Sequence, residues 1–245
     1  MGSSLKEIKS FLDVTCYHDE GQGEGDIHSG LYPFVTISRE HGAGGRALAT
    51  ALMGAMERHP SSLFHGWRVF DRQMCEGLIH DEAFQETFDA VFSERCHSEV
   101  EALVRTLLGA RSSQPAAFSL MFQSMRKIAT CGKVIIVGRS GCCVTASLPL
   151  GVHVRLVAPE EYRIQQAGLK DLGENEARRE LHRRDRDRER LMQTYFRRNV
   201  ADVNMYDAVW NTSRVPMDSI ARAVMGLIES RAVSRGLLRR VRAAS

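Results

Sequence analysis

Five short runs of apolar, largely β-branched residues punctuate the chain, at 34–37, 67–70, 134–137, 152–157 and 208–211. Runs of this length with turn residues at their ends predict strands buried on both faces. The spaces between them carry helical spacing. Leu48 and Leu52 stand four apart with alanines around them, and Pro60 lies beyond the predicted helix end. A long helical region is predicted over 73–130, broken near 112–115. Strands that alternate with helices imply right-handed crossovers and a mainly parallel sheet, so the expected fold is α/β, five parallel strands flanked by helices.

The ends of the chain have a different character. Residues 5–12 suit a short amphipathic helix, and 18–30 are rich in glycine, acid and histidine, so 1–30 are expected to form a flexible extension ahead of a domain at 31–230. Residues 231–245 carry Arg231, Arg235, Arg239, Arg240 and Arg242 and are expected to form a basic tail.

The first strand runs into the sequence's most informative feature, Ser38-Arg39-Glu40-His41-Gly42-Ala43-Gly44-Gly45-Arg46. A buried strand, a glycine turn and a helix start, in that order, aim unpaired N–H groups and the positive end of a helix dipole at one point. Gly42, Ala43, Gly44 and Gly45 are therefore candidate phosphate-binding residues. Against the pattern G-x-x-x-x-G-K-[ST], with Gly44 as its second glycine, Arg39 occupies the first glycine position. Gly45 then replaces the lysine, Arg46 follows it, and Ala47 leaves no hydroxyl for magnesium.

In an open parallel sheet, ligands bind beyond the carboxyl ends of the strands. The polar residues expected there are Ser38 and Arg39, Asp71 and Arg72, Arg139 and Ser140, and Asn211-Thr212-Ser213. Arginines along one rim fit a polyanionic ligand. A second charged feature is Arg183-Arg184-Asp185-Arg186-Asp187-Arg188-Glu189-Arg190, where Arg183, Asp187 and Arg190 share one helical face at i, i+4 and i+7. Two guanidinium forks around a carboxylate suit a phosphate and a sugar or base donor; the same spacing also suits a solvated helix laced with exposed ion pairs.

Composition narrows the classes. Hydrophobic content of 43% and charged content of 26% over 245 residues are those of an ordinary globular domain. A net charge of +3, with acids diluting the arginine run and no interleaved aromatics, argues against nucleic acid as the main partner. The six cysteines, among them the adjacent Cys142 and Cys143, show no zinc or disulfide spacing. Neither a signal peptide nor a membrane-length apolar run is seen, so a reducing cytoplasm is expected and no membrane partner.

Taken together, these motifs resemble the cytidylate kinases, and more closely the cytidylate kinase-like branch of the P-loop nucleoside monophosphate kinases. The resemblance runs from about Tyr32 to Ile228. It is carried by the Gly-Gly-Arg ending of the loop, Phe70-Asp71-Arg72, Val137-Gly138-Arg139, Arg186-Asp187-Arg188-Glu189-Arg190 and residues 206–212. It implies a lid and an acceptor-binding helical insert, ATP as phosphoryl donor, and Mg2+. It places Asp71, Arg139, Arg183, Asp187 and Arg190 at the acceptor nucleotide, Arg163 at the transferring phosphoryl group, and Asn211 beside the donor base. The departures move the loop's cationic duty to Arg46 and Arg39 and leave Ser38 and Asp71 as the candidate metal ligands. Three readings stay open: a small-molecule kinase acting on a nucleoside monophosphate or similar phosphorylated acceptor, a catalytically weak phospho-ligand-binding relative, and an interaction protein working through its basic tail.

Overall fold

The computed structural model describes residues 32–71 and 116–234. The expected N-terminal extension, most of the helical region at 73–130 and the end of the basic tail lie outside the described residues. Five strands form one sheet: β1 (Phe34–Arg39), β2 (Arg68–Phe70), β3 (Val134–Val137), β4 (Gly151–Val157) and β5 (Ala208–Asn211). Their order is β2-β3-β1-β4-β5, and every neighbouring pair is parallel. Among the described residues the helices are α1 (Gly45–Glu57), α2 (Ala116–Cys131), α3 (Gly141–Val144), α4 (Glu160–Gln166), α5 (Glu174–Phe196) and α6 (Met217–Ser234), with single 3-10 turns at Ser62–Phe64 and Val203–Met205.

β1 extends two residues past its apolar run because polar side chains do not stop a ladder. Ser38 sits opposite Arg155 and Arg39 opposite Leu156 on β4. Alternation then sends consecutive residues to opposite faces. Val35, Ile37, Val152 and Val154 join Leu48 and Leu52 of α1 and Ile220, Val224 and Ile228 of α6 in one core. Leu48, Leu52 and Met56 lie on one stripe of α1 and are buried, each contributing about 1.5–3 kcal/mol by leaving water.

The opposite face of the sheet is more polar. Thr36 Oγ1 lies 2.8 Å from His153 Nδ1, and Ser38 Oγ contacts Cys142 Sγ of α3 at 3.5 Å. α2 packs beside α3, with Arg126 Nη1 donating to the Val144 carbonyl at 3.1 Å. The ring of Phe122 on α2 meets Tyr195 and Phe196 at the end of α5. α6 runs through Arg231, which the sequence placed in the tail; its guanidinium pairs with Asp207 beside β5. Among the described residues no helix is long and apolar enough to cross a membrane.

The topology fixes where a ligand belongs. β1 is central, and the chain fills the sheet on its β3 side before crossing to its β4 side. The carboxyl end of β1 is therefore the switch point, where the connections diverge and leave a crevice. The glycine loop starts there.

Candidate functional site

The loop between β1 and α1 is shaped by neighbours that leave no space for side chains. Glu40 extends the strand pairing by donating its N–H to the Leu156 carbonyl at 3.1 Å, and Ala43 closes a turn onto the Glu40 carbonyl at 3.2 Å. Gly42 and Gly44 take the left-handed conformation, with φ of +79° and +87°. A Cβ at Gly42 would come within 2.2 Å of the Arg163 carbonyl oxygen, and one at Gly44 within 2.3 Å of Met217 Cε. At Gly45 it would lie 3.0 Å from Arg39 Cδ. The loop is thus pressed between α4, the start of α6 and the Arg39 side chain. α1 then begins with no side-chain cap and no acid in its first turn, so its N–H groups and dipole face the loop uncompensated.

Arg39 crosses from the loop to the end of β3. A Cβ at Gly138 would lie only 1.8 Å from Arg39 Nη1, so the guanidinium rests on bare backbone there. Burial, then the nearby charges of Arg188, Arg139 and Arg46, pull its pKa down to about 10, with Asp185 opposing. Among the described residues no hydrogen-bonded carboxylate accompanies it. After Gly138 (φ +83°), Arg139 and Ser140 are also left-handed, at +55° and +56°. Such angles cost non-glycine residues about 1 kcal/mol or more each and concentrate at functional sites.

One carboxylate organises the loop from the α5 side. Asp185 Oδ1 accepts from the His41 backbone N–H at 2.7 Å and from Arg188 Nη1 at 3.0 Å, while Oδ2 takes Arg163 Nη1 at 2.5 Å. Arg163 is buried beneath the loop. It also donates from Nε to the Ala158 carbonyl at 3.0 Å and from Nη1 to the His41 carbonyl at 3.3 Å, and it pairs with Glu40 at 3.4 Å. Glu40 in turn accepts from the Ala158 N–H at 3.1 Å. His41 is held neutral, its pKa pushed down to about 4 by burial first and then by Arg188 and Arg184.

The residues expected from sequence fall into two groups. Gly42, Ala43, Gly44, Gly45 and Arg39 converge on the cradle, and Arg139 is close enough to Arg39 to bear on its charge. Arg46 points outward instead: its side chain is 72% exposed and donates to Asp71 at 3.0 Å. Arg163, expected at a transferring phosphoryl group, braces loop backbone and carboxylates in this arrangement. Asn211 uses its Oδ1 to accept from the Ser213 N–H and hydroxyl, which shapes the turn into α6. Ser38 is buried against Cys142, while Asp71 takes Arg46. Among the described residues no group of three or more His, Cys, Asp or Glu is placed to hold a metal ion.

The arginine run places a different face towards the loop from the one its spacing suggested. Arg183, Asp187 and Arg190 are exposed, and Arg183 is engaged by Glu180 at 2.8 Å and Asp187 at 3.2 Å. The inward face reads Ala177, Leu181, Asp185, Arg188, Met192 and Tyr195. Asp185 and Arg188 were missed, yet they interrupt an apolar stripe at its own spacing, which was the available signal.

The model of the family described as cytidylate kinase-like matches residues 34–214. An uncharacterized protein from Eubacterium ventriosum ATCC 27560 with a solved crystal structure superposes with a TM-score of 0.62 at 15% identity, over 81% of this chain and 98% of its own. Shikimate kinase from Acinetobacter baumannii, solved in complex with shikimate, aligns at 16% identity with a TM-score of 0.36, over 81% of this chain and 94% of its own. No curated protein matches the sequence.

Proposed function

Since the chain belongs to the cytidylate kinase-like family, we propose that it is a phosphotransferase that moves the γ-phosphoryl group of ATP to a nucleoside monophosphate or a similar phosphorylated acceptor. One observation carries the reading: among the described residues the buried Arg39 has no paired carboxylate, and it lies near Arg188, Arg139 and Arg46 over a glycine turn at the sheet's switch point. Burying the Arg39 guanidinium among other cations is costly unless a polyanion completes it. Phosphoryl transfer asks the protein for little beyond such positioning and charge stabilisation.

In this reading the N–H groups of Gly42, Gly44 and Gly45 receive the donor phosphates while the Ala43 N–H holds the turn closed on Glu40, and Arg39 supplies the charge that the missing lysine would. Arg46 leaves Asp71 and swings over the loop when the nucleotide arrives. Asn211 and the turn it builds border the donor base. Arg139, at the end of β3, meets the acceptor phosphate, and Arg183, Asp187 and Arg190 meet the rest of the acceptor as α5 closes over it. A magnesium ion bound with the nucleotide would supply charge stabilisation at the phosphates with few protein ligands. Asp71, which now takes Arg46, would be its candidate protein contact; Ser38, turned to Cys142, would not.

The test is a coupled turnover assay with ATP and magnesium against a panel of nucleoside monophosphates, run on the wild type and on Arg46→Ala. Transfer to at least one acceptor, reduced far more than ATP affinity by the substitution, is expected. A second reading, a phospho-ligand-binding protein with weak or no catalysis, is favoured by the engagement of both candidate metal ligands. It would stand if calorimetry detects nucleotide binding while no acceptor is phosphorylated.

A further inference from the structure

We infer that the Asp185 carboxylate is an internal stand-in for a phosphoryl group: it fills a preformed oxyanion site in the ligand-free protein and must be displaced by a substrate dianion. This rests on reading the loop as the phosphoryl-transfer site. Three donors converge on the carboxylate, the His41 backbone N–H, Arg188 Nη1 and Arg163 Nη1. One loop amide and two guanidinium groups form a donor set suited to phosphate.

Both guanidinium donors have anchors besides Asp185. Arg163 stays anchored through Nε to the Ala158 carbonyl and to Glu40, and through Nη1 to the His41 carbonyl. Arg188 keeps its bond to the Arg184 carbonyl at 3.1 Å and its contact with His41 Nδ1 at 3.5 Å. A site whose donors are fixed independently of its occupant is pre-organised for another one. Asp185 is partly exposed, so an incoming anion has access to it.

The consequence is selectivity by charge. A monoanion gains little by replacing one carboxylate with another. A phosphoryl group with nearly two charges and three acceptor oxygens gains from the same donors, and the occupied fraction of the site sets its apparent affinity. The substrate class implied is a dianionic phosphoryl group at this position.

Inorganic pyrophosphate binding to the full chain, followed by calorimetry, tests the inference with Asp185→Asn. The carboxamide oxygen still accepts from the His41 N–H, so the loop keeps its tie while the competing charge is removed. Binding about tenfold or more tighter than in the wild type is expected. Equal or weaker binding in a folded variant overturns it and makes Asp185 a brace. If circular dichroism shows Asp185→Asn unfolded, Asp185→Ser takes its place; failure of both to fold overturns the inference, since a stand-in must be dispensable to the fold. Tighter pyrophosphate binding without any wild-type turnover would leave the stand-in and remove the kinase. Turnover without tighter binding would do the reverse.

Discussion

The guanidinium of Arg39 occupies the space that a side chain at Gly138 would need, with Nη1 only 1.8 Å from where that Cβ would be. Gly138→Ala must therefore displace Arg39 and also pay for a left-handed alanine. Turnover should fall by about 10²–10³, the cost of losing one charge-stabilising contact. Gly66→Ala is the control, with φ of +79° and nothing within 4 Å of its Cβ. It should lose about 1–2 kcal/mol of stability at most and none of the activity. Equal activity losses in the two variants would refute the steric argument.

Arg39 also sets function against stability. Its pKa is held down to about 10, so the folded state disfavours its charge; the penalty is present below that pH and relieved only as pH rises through it. Arg39→Gln should therefore raise Tm while turnover collapses, at about 2–4 °C for each kcal/mol recovered in a chain of this size. A lower Tm would mean that Arg39 is held by attractions not seen among its neighbours.

His41 gives the loop a pH signature. The unfolded chain takes up a proton near the ordinary histidine value of 6.5, while the folded loop resists protonation down to about 4. Stability contributed by the neutral ring is complete above 6.5 and is lost as pH falls from 6.5 towards 4. Scanning calorimetry across that window should show a steeper fall of Tm for the wild type than for His41→Gln. The other histidines contribute equally to both curves and drop out of the difference.

The two faces of α5 should separate kinetically. Arg188→Ala breaks the tie to Asp185 and should lower both Tm and kcat. Arg183→Ala removes only exposed, solvent-screened pairs and should leave Tm unchanged. If the outward face receives the acceptor as proposed, Arg183→Ala should raise acceptor KM by about tenfold at nearly constant kcat. An unaltered KM would take that face out of the site.

Much of the architecture was legible because burial leaves a compositional trace. The strands Val134–Val137 and Ala208–Asn211 begin and end where their apolar runs do. β1 was read too short, since Ser38 and Arg39 are polar and only the ladder to β4 keeps them extended. In the site, the glycines announced themselves through conformations closed to other residues. Asp185 and Arg188 did not, because a run of alternating charges offers several helical faces and only tertiary packing selects one. The same packing turned Arg46 outward to Asp71 and drew Arg163 under the loop, neither of which a linear pattern contains.

Met217, at the start of α6, lies against Gly44 at the mouth of the loop. β1 and its glycine turn leave the ribosome well before the methionine that closes one wall of the turn. Chains fold progressively from the N-terminus during synthesis, so a nascent or truncated chain lacking α6 carries the glycines without the wall that Met217 supplies. On the proposed reading, phosphate binding by truncated chains should then appear only once α6 is included.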